Sequence, residues 1–159
     1  MRGGVVERVS GPLVVCSGMR GVAIGEIVEV GSEGLIGEVV RVAGDSAFIQ
    51  VYEATSGIKP GERVVTTGRR LTAELGPGLL GSIFDGIQRP LPQLLKLSGP
   101  FVRRGFKLNA LPRDRKWYFK PLISVGDEVG PGDVVGLVEE TPMITHRVMV
   151  PPGTGRGAP

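Results

Sequence analysis

Short apolar runs, each broken by glycine within a few positions, set the pattern of the first half of the chain. Val5-Val6-Glu7-Arg8-Val9 meets the turn signal Ser10-Gly11-Pro12 and resumes as Leu13-Val14-Val15-Cys16. Glu26-Ile27-Val28-Glu29-Val30 alternates polar and apolar residues, as a half-buried strand does. Gly31-Ser32-Glu33-Gly34 turns the chain into Leu35-Ile36-Gly37-Glu38-Val39-Val40-Arg41-Val42. Ala43-Gly44-Asp45-Ser46 then separates that run from Ala47-Phe48-Ile49-Gln50-Val51-Tyr52, a hairpin pattern. A sixth run, Glu62-Arg63-Val64-Val65-Thr66-Thr67, follows Ser56-Gly57-Ile58-Lys59-Pro60-Gly61. Six short strands with glycine at each corner and no helical period predict a small closed barrel, because closure removes the edges that short strands would expose. Glu7, Glu26, Glu29, Glu38 and Glu62 fall where the alternation points to water, so no acid/base pair is expected among them. Phe48 and Tyr52 share a face with Gln50 and are expected to be buried.

The pattern breaks at Leu75-Gly-Pro-Gly-Leu-Leu-Gly81. Gly76-x-Gly78-x-x-Gly81 has the glycine spacing of a dinucleotide loop, but such a loop opens a long helix whose N-terminus holds the phosphate. Here Gly86 and Pro90 leave no room for that helix, and Pro77 lacks a backbone donor. The Walker spacing is absent too, since the chain holds no Gly-Lys pair. The stretch therefore reads as an interdomain connector, Gly76, Pro77, Gly78, Leu79, Leu80, Phe84, Asp85, Arg89 and Pro90. Its glycines serve turns, and its apolar residues are expected to dock on a neighbour that is largely missing from this chain. Pro90 to Pro100 is the one helical pattern, with proline at its start, Leu91, Leu94 and Leu95 on one face, and Gly99-Pro100 to close it.

Arg103, Arg104, Lys107, Arg113, Arg115, Lys116 and Lys120 follow, interleaved with Phe101, Phe106, Trp117, Tyr118 and Phe119 and with Asp114 as the only acid among them. Cations beside stacking faces are what a strand of bases needs. Arg113, Arg115, Lys116 and Trp117 are the contacts such a use would make, and a packed or partner-facing segment is the other reading. From Pro121 to Glu140 strand patterns return, with turns at Gly126-Asp127 and Pro131-Gly132-Asp133. They resemble the hairpins of lipoyl and biotinyl carrier domains, but no lysine follows Lys120 to carry a group.

Composition narrows the chemistry. With 26 glycines and 13 prolines in 159 residues, an all-β architecture is favoured over a helical one. A net charge of +3 is a mild surplus. A single cysteine, Cys16, excludes an internal disulfide, and its apolar surroundings mark a small buried hydrophobe. His146 has no partners in a recognisable motif, so a structural role is expected. No catalytic, cofactor-binding or metal-binding residues are expected in the chain. No apolar run is long enough to span a bilayer, and a cytosolic location is the default expectation.

Taken together, these residues resemble the N-terminal part of the catalytic A subunit of archaeal-type and vacuolar-type rotary ATPases. The resemblance rests on Ser10-Gly-Pro-Leu-Val14, Gly34-Leu-Ile-Gly-Glu38, Gln50 to Gly57 with Lys59-Pro-Gly61, Glu74 to Leu80, Asp85 to Leu91, Leu111 to Trp117, and Thr145 to Pro152. It implies a barrel that joins the crown of a ring of alternating A and B subunits. It also implies that the second β-rich piece begins the bulge domain, which faces outward near the peripheral stalk.

The organisation expected is a six-stranded N-terminal β-barrel over 1–75, a connector with one short helix over 76–110, a partial barrel-sandwich-like bulge over 111–152, and a disordered tail over 153–159. The chain is expected to stop inside the bulge, before the phosphate loop and catalytic glutamate of the family. The full-length family, a proton- or sodium-translocating ATPase or ATP synthase, uses ATP/ADP and Mg. This chain would be inactive alone, cytoplasmic, and peripheral to the membrane within a larger complex. The alternative is an OB-like barrel binding single-stranded nucleic acid through residues 103–120.

Overall fold

The structure is a computed structural model that describes residues 3–101 and 103–154. The disordered-tail expectation falls mostly on residues outside the described ones. Contacts divide the chain into two compact units, one made of Met1–Ala73 with Leu91–Lys107 and the other of Glu74–Pro90 with Leu108–Pro159.

In the first unit β1 (Gly3–Ser10), β2 (Leu13–Ser17), β3 (Glu26–Val30), β4 (Leu35–Ala43), β5 (Ser46–Val51) and β6 (Arg63–Arg70) close into an antiparallel barrel of order β1-β2-β5-β4-β3-β6. All six expected strands are present, and the strand order is what the sequence pattern left open. Ser10 faces Leu13 and Ala43 faces Ser46, so both hairpins turn on two residues. Each tight turn starts with a glycine at positive φ, Gly11 at 57° and Gly44 at 62°, where a side chain would be strained.

Val6, Val14, Cys16, Val28, Val30, Leu35, Val39, Ala47, Ile49, Val51 and Val64 fill the barrel, and Met19 joins them from the β2–β3 connection. Enclosing each valine or leucine side chain stabilises the fold by roughly 1.5–3 kcal/mol. Alternation along β4 buries Leu35, Gly37 and Val39 and leaves Val40 outside; the register shift between Val39 and Arg41 then keeps Arg41 outside as well and lets Val42 pack against the core.

Three expectations for the barrel change. Glu26 does not face water: it is buried, and its carboxylate accepts from the backbone N–H groups of Ala23 (3.2 Å) and Gly68 (2.9 Å). Glu26 shares its phase with the buried Val28 and Val30, and the extra residues at the register shift lie on β6 between Thr66 and Arg70, so β3 itself turns the side chain inward. Phe48 and Tyr52 are not core residues, because Ala47, Ile49 and Val51 take the inner face of β5 and its C-terminal end. Phe48 is instead half-covered by the Arg41 guanidinium, 5.0 Å from its ring centroid. The Tyr52 hydroxyl donates to Glu38, and desolvation together with that bond pushes it up to about 12. Cys16 behaves as expected: it is fully enclosed, its Sγ–H points at the Ala47 carbonyl, and burial pushes the thiol up to about 11.

Helix α1 (Leu91–Ser98) returns the chain to the barrel unit. Gly99, at a φ of 74°, caps it by donating to the Leu95 carbonyl at 2.9 Å, and Pro100 stops it. Leu94 is fully buried, but Leu95 is exposed, contrary to the single face expected for Leu91, Leu94 and Leu95. Two turns present only a narrow buried stripe, and Leu95 lies beside it.

In the second unit β7 (Phe119–Pro121), β8 (Val134–Thr141) and β9 (Ile144–Met149) form a three-stranded sheet in that order. The stretch between β7 and β8 is turns rather than strand. Asp127 accepts from the N–H of Ser124 and Asp133 from that of Gly130, both at 2.7 Å. The glycine of β8, Gly136, is buried beneath the Phe119 ring, and an added Cβ would collide with it.

Candidate functional site

The connector expected over 76–110 is shared between the two units, and its first part is a closed loop within the second. Glu74 and Gln88 seal its base: Glu74 N–H donates to Gln88 Oε1 at 2.6 Å, and Gln88 Nε2 returns a bond to the Glu74 carbonyl at 2.8 Å. Gln88 holds a φ of 61°, the only non-glycine described with positive φ. Arg113 adds an ion pair to Glu74 at 2.7 Å.

Inside the base, Asp85 Oδ1 accepts from the N–H groups of Ile87 (3.1 Å) and Arg89 (2.8 Å), while Oδ2 takes the Arg89 Nε at 2.7 Å. Burial works to raise the Asp85 carboxyl, but the bonds from Arg89 and Ile87 outweigh it and hold it below the usual carboxylate range. Phe84 bridges to Pro90 across the same turn.

At the far end, Glu140 of β8 accepts on one oxygen, Oε1, from the N–H groups of Gly78 (2.7 Å) and Leu80 (3.1 Å). A Cβ at Gly76 would stand 2.9 Å from Leu111 Cδ1, and one at Gly78 within 3.5 Å of Pro112 and Trp117. The glycines thus permit close packing of the loop against Leu111, Pro112 and Trp117 within the second unit. Its backbone donors do converge on an anion, as a phosphate loop's would, but the anion is a side chain of the same unit. Leu75, Leu80 and Ile83 remain exposed.

The basic aromatic segment is also divided. Arg104 lies in the barrel unit and forks onto Glu33, Nε to Oε2 at 2.9 Å and Nη2 to Oε1 at 2.6 Å. Its Nη1 donates to the carbonyls of Ala54 (3.1 Å) and Ser56. Next to it the Gly105 N–H meets the Glu53 carboxylate, and Lys107 pairs with Glu29 at 2.6 Å. In the second unit the Arg115 guanidinium lies 3.8 Å from the Trp117 ring centroid, and Lys116 and Tyr118 are exposed. The structure therefore brings Arg115 and Trp117 together, with Arg113 turned to Glu74. The acids Glu33, Glu53 and Glu140 were not singled out in the sequence, because each meets its partner across a long stretch of chain.

Other groups have structural settings. Glu62 stands just before β6, and its carboxylate accepts from the N–H groups of Ser32 (3.0 Å) and Lys59 (2.8 Å), bonds that hold it below its usual range. His146 is half-buried in β9 opposite Val138. Among the described residues no group of three or more His, Cys, Asp or Glu is placed to hold a metal. An open groove of about 440 Å³ runs along β3 and β6, lined by Ile27, Glu29, Val65, Thr67, Arg69 and Leu71 among others.

Residues 6–68, the barrel, match the beta-barrel domain of the ATP synthase alpha/beta family, and residues 108–158 match the barrel-sandwich domain of the ATP synthase alpha/beta subunit. The chain belongs to the ATP synthase alpha/beta family. Within it, the chain is similar to the A subunit of A-type ATP synthase, with 58% identity to that of Thermofilum pendens over 96% of this chain and 60% to that of Staphylothermus marinus over 95%. Identity to that of Pyrococcus abyssi is 57% over 94%. The chain spans 25%, 26% and 15% of the length of these three relatives. The resemblance to the N-terminal part of the A subunit thus extends over nearly all of the chain.

Proposed function

We propose that this chain supplies the N-terminal assembly portion of the A subunit in an A-type rotary ATP synthase. In that role the barrel joins a crown of alternating A and B subunits through barrel-to-barrel contacts, and the second unit begins the outward-facing bulge near the peripheral stalk. The observation that carries the reading is a coincidence over one stretch: the six strands between Gly3 and Arg70 close into a barrel, and residues 6–68 match the family's barrel domain. Closure supports an assembly role, because a barrel without free edges presents a rigid outer surface rather than a strand open to indiscriminate pairing.

Catalysis resides elsewhere in the A subunit on this reading. ATP/ADP and Mg would be bound by other parts of that polypeptide, consistent with the missing Gly-Lys pair. The location that goes with the role is cytoplasmic and peripheral to the membrane. Among the described residues no helix is long and apolar enough to cross a bilayer. Of the cations that a nucleic-acid role would need, Arg104, Lys107 and Arg113 pair with Glu33, Glu29 and Glu74.

The test mixes the purified chain with the B subunit of an A-type ATP synthase and follows co-elution by size exclusion, with calorimetry against MgATP alongside. Co-elution with the B subunit, with no heat from MgATP, is expected. Failure of the two proteins to associate, or tight MgATP binding by the chain alone, would overturn the proposal.

A further inference from the structure

The loop from Glu74 to Pro90 is fastened at two places by different means. Its base is closed by its own residues: the reciprocal bonds of Glu74 and Gln88, the Asp85–Arg89 pair, and the Phe84 to Pro90 bridge. Among the described residues its far end carries only short turns, from Leu79 N–H to the Gly76 carbonyl at 3.4 Å, Ser82 N–H to the Leu79 carbonyl at 3.3 Å and Ser82 Oγ to the Gly78 carbonyl at 3.1 Å. Both backbone donors that reach the sheet there end on one atom, Glu140 Oε1. Gly78 and Gly81 hold φ values of 101° and 77°, so that end owes its path to glycine and has little intrinsic stiffness.

We propose that Glu140 is a latch. With its side-chain oxygen in place, residues 76–82 are held against the sheet. Without it, that stretch opens as a unit while the base of the loop stays closed. The inference is independent of the assembly role, since it concerns contacts inside the second unit alone. Glu140 is a positioning residue here: it acts through the Gly78 and Leu80 amides and touches no substrate. Hydrogen bonds to an ionised acceptor are stronger than neutral ones, and losing both partners at once leaves the glycine-rich end to its own entropy.

Amide hydrogen exchange on the 159-residue chain and on the variants Glu140→Ala and Glu140→Gln tests it. In Glu140→Ala, protection at Gly78 and Leu80 falls by about tenfold or more, while Ile87 and Arg89 at the loop base and Val138 and His146 in the sheet stay within about twofold of the parent. Glu140→Gln, which keeps an oxygen at the same reach, retains most of the protection at Gly78 and Leu80. Unchanged protection at those two amides in Glu140→Ala overturns the latch. So does an equal loss at Val138 and His146, which would show that Glu140 acts through the hairpin. Loss in Glu140→Gln as complete as in Glu140→Ala overturns it as well, because the acceptor oxygen would then not be what holds the loop.

Discussion

Arg104 is the residue whose loss the barrel unit should feel most among the exposed or half-exposed positions. It ties the segment after α1 to two separate barrel loops, forking onto Glu33 and donating to the carbonyls of Ala54 and Ser56. The side chain is 28% accessible and that of Glu33 is 48% accessible, so the ion pair must be discounted for solvent to about 1 kcal/mol. Each carbonyl bond contributes about 1 kcal/mol more. Arg104→Ala should therefore destabilise the unit by about 2–3 kcal/mol, which at this size lowers its Tm by roughly 10 °C or more. Arg104→Lys keeps the charge but offers a point in place of a planar fork, and cannot reach Glu33 and both carbonyls together. It should lose about half as much. The assay is urea unfolding followed by circular dichroism, with Glu33→Gln in a double-mutant cycle to isolate the fork. If Arg104→Lys matches the parent within about 0.3 kcal/mol, charge alone suffices and the fork argument is refuted.

Two further outcomes follow from single sites. Asp85 is ionised more readily in the folded chain than in the unfolded one, so it stabilises above the ordinary carboxylate range near pH 4, and that stability is lost as pH falls through its lowered folded value. Asp85→Asn should thus cost about 1–2 kcal/mol at pH 7 and progressively less as the pH falls below the ordinary carboxylate range, read from denaturant unfolding by the fluorescence of Trp117, the only tryptophan; a cost that does not change with pH would show that the carboxylate's charge is idle. In β4, a Cβ at Gly37 would stand 2.6 Å from Ile49 Cγ2 and 3.1 Å from the Gln50 carbonyl, so Gly37→Ala should cost about 1–3 kcal/mol by overpacking, whereas a urea midpoint equal to the parent's would show that the barrel wall gives way there freely.

The barrel was legible because its information is local. Alternation along Glu26–Val30 and Ala47–Val51, and glycine turns such as Gly44-Asp45, need only neighbouring residues to be read. Polar character misled at Glu26, which falls in step with Val28 and Val30 and is buried with them, its carboxylate satisfied by the Ala23 and Gly68 amides that the sequence pattern does not reveal. Phe48 and Tyr52 show the opposite error. Their phase was right, but aromatic character suggested burial when Ala47, Ile49 and Val51 already filled the inner face.

The glycine loop shows why a site resists sequence reading even when its spacing is conspicuous. The flanks of Gly76 to Gly81 exclude a helix N-terminus, and with it a dinucleotide site, on local grounds alone. What the loop does instead depends on an acid 62 positions away from Gly78, on a strand whose alternation marks Glu140 only as one more polar residue. The same holds for Arg104, whose partner Glu33 is 71 positions distant. Read in sequence, both arrangements are surplus charge: a basic cluster open to bases and a glycine run open to phosphate. Folding brings Arg104 to carboxylate and carbonyl oxygens and the Gly78 and Leu80 amides to one carboxylate oxygen. Each of these contacts lies within one unit, and neither could be read from the residues beside it in sequence.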